Sequence, residues 1–182
     1  MPISLKLDCC SFAKMDIKLL SIGAAQDCRR ILKSLPEWFG DAEALDMYIA
    51  HAGHSPVVVA RMDGAVVGYI SISEHFGRNC EIHSMGVDKA NHRSGLGKAM
   101  VRHLFDYATN AGFSYLSVKT LSERHADPNY EATRQFYRAV GFEPFEELPT
   151  LWGKDLPCLV MLLPLASPQI KTPAALTGHG GS

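Results

Sequence analysis

The 182-residue chain is 47% hydrophobic and 20% charged, an ordinary globular composition that supports one hydrophobic core but hardly two. Its formal net charge of −1 provides no overall basic field to attract nucleic acid or an anionic membrane. Five cysteines without metal-ligand spacing, and no membrane-length apolar run or signal-peptide pattern, predict a cytoplasmic protein with reduced thiols and neither a metal nor a membrane partner.

The first part of the chain predicts an arm, a strand and two helices. Residues 1–15 fit no pattern and are interpreted as an N-terminal arm. Residues 15–23 alternate as a strand does, and residues 24–35 have helical spacing before Pro36. A second helix is expected to begin after Asp41 as its N-cap and to end just before Gly53.

The middle of the chain predicts a hairpin followed by a strand and a helix. Two β-rich segments flank Asp63-Gly64, a strong signal for a tight hairpin turn. Residues 80–87 predict a further strand, and residues 95–111 predict an amphipathic helix.

The last part predicts a strand at 114–121, a helix at 129–141 closed by Gly141, and strands at 142–147 and 158–165. The final strand is apolar enough to pair within the sheet or across a homodimer. Residues 166–182 are rich in Pro, Gly and Ser and predict a flexible tail. Helices interleaved with strands around an antiparallel hairpin indicate a mixed-sheet α/β sandwich over residues 16–165.

The stretch HRSGLGKAM places two glycines between a strand and a helix. Unpaired N–H groups and the positive end of the helix dipole meet there, so an anion fits, and Arg93 and Lys98 add charge. A helix cap or close helix packing explains most such pairs equally well. The nucleoside-triphosphate loop and the Rossmann fingerprint both fail, because Lys98 is followed by Ala99 and the third glycine is missing.

Two spaced motifs resemble the GNAT superfamily of acyl-CoA-dependent N-acetyltransferases. His92-Arg93-Ser94-Gly95-Leu96-Gly97 is similar to the family's [Q/R]xxGx[G/A], with histidine in the first place. Tyr130, Thr133, Phe136, Tyr137 and Gly141-Phe142 resemble its fourth helix, with Tyr130 where the family usually has asparagine and Asn129 one place early.

The resemblance implies a mostly antiparallel sheet of six to seven strands flanked by about four helices. It also implies acetyl-CoA as co-substrate and transfer of acetyl to a primary amine of a small molecule or peptide, by direct attack in a ternary complex. The residues expected to bind the cofactor are Met85, Val87, His92, Arg93, Ser94, Gly95, Leu96, Gly97, Lys98, Ala99 and Asn129.

The same resemblance suggests the catalytic groups. The strand before the loop is expected to splay from its neighbour, with the Met85 N–H facing the acetyl oxygen and the Val87 backbone pairing with pantetheine. Glu81 is the first choice as base and His83 its rival, and strand alternation is expected to put both on the face of Met85. Tyr137 is the expected acid for the departing thiolate, with a core aromatic as the alternative.

The acceptor pocket is expected at Trp38, Phe39 and Trp152, which lie in connections that wall the acceptor site in the family. Nearby Asp41, Glu43, Glu146 and Glu147 favour a cationic amine. A polyamine, an aminoglycoside, an amino acid and a protein N-terminus all stay open. Two other classes also remain: a non-catalytic acyl-CoA sensor or interaction module of this fold, and an unrelated α/β protein in which HRSGLGKA only caps a helix.

Overall fold

The computed structural model describes residues 15–20 and 22–165, so the predicted tail and all of the predicted arm except Met15 lie outside the described residues. The strands are β1 (Met15–Leu20), β2 (Val57–Met62), β3 (Ala65–His75), β4 (Asn79–Val87), β5 (Tyr115–Leu121), β6 (Glu143–Leu148) and β7 (Cys158–Pro164). The helices are α1 (Ala25–Lys33), α2 (Ala42–His54), α3 (Leu96–Asn110) and α4 (Pro128–Ala139), with a 3-10 turn at Lys89–Asn91.

The seven strands form one sheet in the order β1-β2-β3-β4-β5-β7-β6. Every neighbouring pair is antiparallel except β4 and β5, which run parallel. Apolar residues of α3 and α4 form a core on one face of the sheet, and those of α1 and α2 form a second core on the other. This is the predicted mixed, mostly antiparallel sheet, and β7 pairs inside it between β5 and β6.

Local signals in the sequence fix several turns. Asp63 and Gly64 join β2 to β3 with φ of 49° and 87°, the left-handed values that a two-residue hairpin turn needs. Asp41 caps α2, since its side chain accepts a hydrogen bond from the Ala44 N–H at 2.7 Å. Gly141 follows α4 with φ of 102°. These three predictions are confirmed.

The predicted end of α2 at Gly53 is wrong, because the helix continues to His54. A Cβ on Gly53 would lie 3.3 Å from the Ala25 Cβ, so this glycine lies where α2 approaches α1 closely. Its role is packing between helices, which sequence alone does not distinguish from a helix end.

β4 and β5 separate along their length. They pair from Asn79 with Tyr115 to Ile82 with Val118, and the pairing then stops although β4 continues to Val87 and β5 to Leu121. A gap therefore opens in the sheet beyond Ile82, as the family resemblance predicts. The backbone that lines a gap of this kind is free to meet a ligand.

Among the described residues, no helix is both long and apolar enough to cross a membrane, and no group of three or more His, Cys, Asp or Glu is placed to hold a metal ion. The described cysteines, Cys28, Cys80 and Cys158, are free and buried.

Candidate active site

The gap between β4 and β5 opens into a cleft of about 1350 Å³. The ends of both strands, the loop before α3, α4, and the α1–α2 and β6–β7 connections all contribute to its lining. Pockets for one small molecule typically enclose 300–1,000 Å³, so this cleft is large enough for two ligands that meet end to end.

One end of the cleft has the geometry of an anion site. Gly95 precedes α3 with φ of 85°, and a Cβ there would meet no other atom, so glycine is needed for the backbone conformation and not for space. Arg93 is also left-handed, with φ of 59°. The first turn of α3 lies at the positive end of the helix dipole, and its residues Gly97 and Lys98 line the cleft.

Six of the eight predicted loop residues line the cleft. They are His92, Arg93, Gly95, Leu96, Gly97 and Lys98. Ser94 and Ala99 are not part of the lining, and the Ser94 hydroxyl instead donates to the Asn91 carbonyl at 2.7 Å. The loop thus presents two cationic side chains and a helix N-terminus together.

Gly97 serves close packing. A Cβ at this position would lie 3.3 Å from both the Met85 Cε and the Phe136 Cε2 atoms. The glycine therefore lets α3 approach β4 and α4, which is the packing alternative raised by the sequence. The two glycines of the motif have different physical roles.

Trp38, in the α1–α2 connection, is tied to α4. Its indole N–H donates to the Thr133 hydroxyl at 3.1 Å, and its carbonyl accepts from the Tyr130 hydroxyl at 3.1 Å. His92 lies edge-on to the indole at 6.3 Å, with its Nε2 atom 2.8 Å from the Val87 carbonyl oxygen. Asn129 does not line the cleft, whereas Tyr130 does.

A β-bulge in β4 contradicts the predicted alternation of side chains. Ser71 pairs with Ser84 and Ile72 pairs with Ile82, so His83 has no partner in β3. One unpaired residue reverses the faces of the strand on either side of it. Met85 and Val87 consequently pack on the α3 side.

His83 lies on the opposite side, against α2. Its ring stacks on His51 with centroids 3.7 Å apart and meets the Tyr48 ring edge-on at 5.7 Å. The prediction that His83 shares a face with Met85 and Val87 is therefore wrong. Alternation along the sequence does not predict the faces correctly here, because a β-bulge cannot be recognised from the spacing of apolar residues.

Glu81 and His83 differ sharply in access. Glu81 is nearly buried and does not line the cleft, and its two oxygens each lie 2.7 Å from a nitrogen atom, Lys119 Nζ and His75 Nε2. His83 lines the cleft, and burial lowers its pKa from the ordinary 6.5 to about 4. Its imidazole is therefore neutral throughout the physiological range.

The depressed pKa of His83 predicts acid sensitivity. In the unfolded chain this residue binds a proton below about pH 6.5, whereas in the folded chain it does so only below about pH 4. The free energy of unfolding therefore falls as the pH falls from about 6.5 to about 4. The free energy of unfolding by urea at pH 7, 6 and 5 is expected to decline less steeply in His83→Gln than in the wild type. A slope in His83→Gln equal to that of the wild type would contradict the prediction.

Tyr137 reaches the cleft from α4. It is nearly buried between Phe136 and Phe142, whose rings lie edge-on at 5.3 and 5.6 Å. Within the described residues its hydroxyl has no hydrogen-bond partner, and burial raises its pKa far above the ordinary value of 10. The phenol is thus protonated at neutral pH and open to a ligand.

Three lining residues at the end of β5 and just beyond it were not identified from the sequence. Thr120 Oγ1 and His125 Nδ1 are buried atoms without a hydrogen-bond partner in the described part of the chain. Lys119 also lines the cleft while bound to Glu81. Buried polar atoms are nearly always hydrogen-bonded, so the unpaired Thr120 and His125 atoms indicate a place for a ligand. The signal in the sequence was weak, since polar residues at a strand end are ordinary.

The predicted acceptor residues Trp38, Phe39 and Trp152 all line the cleft. Of the four acidic residues expected nearby, only Asp41 is among the lining residues. The Glu147 carboxylate is bound instead to the Ser122 hydroxyl and to Arg124, whose Nε lies 2.9 Å away.

Known proteins give a consistent comparison. The chain is 37% identical over 94 residues to the N-alpha-acetyltransferase RimI of Mycobacterium tuberculosis. The match covers 50% of this chain and 53% of the relative, so the chain spans about half the length of the curated relative it matches.

Two solved structures share the fold. The ribosomal-protein-S18-alanine N-acetyltransferase of Escherichia coli superposes with a TM-score of 0.69 at 16% identity, covering 87% of this chain and 99% of that one. A GNAT family acetyltransferase from Elizabethkingia anophelis with acetyl-CoA bound gives 0.63 at 14% identity, covering 83% and 98%.

A sequence model of the acetyltransferase (GNAT) family matches residues 25–142, which run from α1 through the splayed strands and the glycine loop to the end of α4. Fold, cleft and sequence thus agree, and the chain belongs to the GNAT family of acetyltransferases.

Proposed function

We propose that the chain is an acetyl-CoA-dependent N-acetyltransferase that transfers acetyl to a primary amine by direct attack within a ternary complex. The observation that carries the proposal is the single cleft that joins an anion-binding helix N-terminus to a neutral imidazole and a protonated phenol. One ligand enters from each end, and the reacting atoms meet over the gap between β4 and β5.

The loop before α3 is assigned to the diphosphate of coenzyme A. Amides at Gly97 and Lys98, the dipole of α3 and the Arg93 side chain all favour an anion at that end. Thr120 has a buried hydroxyl that needs an acceptor, and a ligand lying in the gap would supply one. The residues present therefore fit the co-substrate.

The chemistry requires a polarised carbonyl, an amine that loses a proton, and a proton for the leaving sulfur. We assign the Met85 N–H to the acetyl oxygen, where one donor contributes ~3 kcal/mol to such reactions. His83 takes the proton from the attacking nitrogen, directly or through water, as the N–C bond forms. Tyr137 donates a proton or a hydrogen bond to the sulfur as the C–S bond breaks.

His83 replaces Glu81 as our first choice for the base. Both Glu81 oxygens already have partners, the Lys119 ammonium and the His75 imidazole, and the side chain does not line the cleft. Glu81 acts instead as a positioning residue that fixes Lys119 beside the gap. His83 has the access that direct proton transfer needs.

Thermal unfolding tests the co-substrate directly. Acetyl-CoA at about 100 times its dissociation constant is expected to raise the melting midpoint by roughly 5–10 °C, because binding at this excess adds ~2.7 kcal/mol to stability. Acetyl-pantetheine, which lacks the diphosphate, should raise it far less, and amide NMR signals of residues 94–98 should shift only with the full cofactor. Equal effects of the two ligands would contradict the assignment of the loop.

Release of the CoA thiol over a panel of amines then separates the enzyme from a non-catalytic acyl-CoA sensor. An enzyme produces free thiol in proportion to the acetylated amine. Tight acetyl-CoA binding without release from any amine would favour the sensor.

A further inference from the structure

Exposed large apolar side chains are concentrated in the lining of the cleft. Nine large hydrophobic residues of the described chain are exposed, and four of them line this one cleft. We call these four the mouth patch: Met47, Leu151, Trp152 and Leu156. Scattered exposed apolar residues are ordinary, but several gathered at the rim of a cleft mark a binding surface.

The apolar lining continues inward from the mouth patch. Phe39 meets Tyr48 edge-on at 5.6 Å, and Tyr48 meets His83 at 5.7 Å. Trp38 lines the same cleft. We call Trp38, Phe39 and Tyr48 the aromatic wall, and Tyr48 connects it to the proposed base.

Charge at this end of the cleft does not suit a polycation. Both carboxylates that line the cleft in the described chain cap helices: Asp41 accepts from the Ala44 N–H, and Asp127 accepts from the amides of Asn129 and Tyr130. Lys119 also lines the cleft, paired with the Glu81 carboxylate at 2.7 Å. For the several ammonium groups of a polyamine or an aminoglycoside, the described lining therefore offers only Asp41 and Asp127 as counter-charges, and both already cap helices.

We infer that the acceptor is a primary amine attached to a bulky apolar group, of the kind presented by a peptide whose first two residues have large apolar side chains. This inference rests on the proposed acetyltransferase activity and names its substrate class. The amine lies at His83, and the apolar side chains lie against the aromatic wall and the mouth patch. Burial of one such side chain improves binding or turnover about 10- to 100-fold.

Matched hexapeptides provide the test. Four peptides share residues 3–6 and begin with Met-Phe, Leu-Leu, Ser-Gly or Asp-Glu, and spermidine and kanamycin represent the polycations. At saturating acetyl-CoA, kcat/KM from thiol release is expected to be at least tenfold higher for the two apolar peptides than for every other acceptor.

Variants assign the preference to the mouth patch. Trp152→Ala is expected to lower kcat/KM about tenfold for the Met-Phe peptide, with the Ser-Gly peptide and the Kd of acetyl-CoA unchanged. Phe76→Ala is the matched control, because Phe76 is 100% exposed at the β3–β4 turn and does not line the cleft. It should behave as wild type with every acceptor.

Failure of the inference is distinguishable from failure of the enzyme. Turnover with spermidine or kanamycin at or above the apolar peptides, unaffected by Trp152→Ala, would overturn the inference and leave the acetyltransferase intact. If no acceptor releases thiol, the proposed acetyltransferase activity is contradicted. Peptide binding alone then tests whether the cleft prefers an apolar peptide. Both tryptophans of the chain line the cleft, so their fluorescence should change on adding the Met-Phe peptide but not the Asp-Glu peptide.

Discussion

Replacement of Tyr137 by Phe is expected to lower kcat about 100-fold or more while the Kd of acetyl-CoA stays within about twofold. The phenol is protonated at neutral pH and its hydroxyl has no partner within the described residues, so the substitution removes a donor to the leaving sulfur and no internal hydrogen bond. Thermal stability should change little for the same reason. Thiol release at saturating acceptor and calorimetric titration measure the two quantities.

Tyr107→Phe serves as the control for that experiment. Tyr107 belongs to α3, lies outside the cleft lining, and contacts the Glu74 carboxylate at 3.5 Å. Its replacement should leave kcat unchanged. If Tyr137→Phe turns over at the wild-type rate, Tyr137 is a core aromatic and the leaving sulfur takes its proton from solvent.

Glu81→Gln is expected to destabilise the fold by about 2–3 kcal/mol. The carboxylate is nearly buried, with the Lys119 ammonium 2.7 Å from one oxygen and the His75 Nε2 atom 2.7 Å from the other, and a neutral amide leaves Lys119 without its counter-charge. The cost falls below the 3–5 kcal/mol typical of a fully buried pair, because Lys119 retains contact with solvent. The midpoint of urea unfolding at pH 7 measures the loss.

Glu74→Gln is the matched control, since Glu74 is exposed on the neighbouring strand and should change stability by no more than about 0.5 kcal/mol. The pH profile of Glu81→Gln decides its chemical role. If Glu81 transfers the proton directly, the Glu81→Gln variant loses more activity at neutral pH than at high pH. If Glu81 only positions Lys119, the variant is slower by the same factor at every pH. Stability equal to wild type would contradict the ion-pair argument.

Local sequence patterns predict most of the fold. The Asp-Gly turn, the Asp41 cap and the strand-helix order are all set by neighbouring residues, so the sequence alone predicts them. Gly53 shows the limit of such patterns. The sequence does not distinguish a glycine that ends a helix from a glycine that lets two helices pack closely, and only the contact with Ala25 in the structure identifies the second role.

The candidate site was predicted in outline and corrected in detail. The glycine loop and Tyr137 occupy one cleft, as the motifs suggested. The sequence does not show whether Glu81 or His83 is the better candidate for the base, because the access of Glu81 depends on its contacts with Lys119 and His75. Neither contact is indicated by a motif in the sequence. Long-range pairing, not residue type, decides which group is accessible.

The unpaired residue in β4 has an evolutionary consequence. With it, His83 lies on the α2 side of the sheet and Met85 on the α3 side, and removing one residue between Ile82 and Met85 would reverse the face of every residue of β4 that follows. Single-residue deletions there should thus be far more harmful than substitutions. The length of β4 between Ile82 and Met85 is therefore constrained more tightly than the identity of the residues within it.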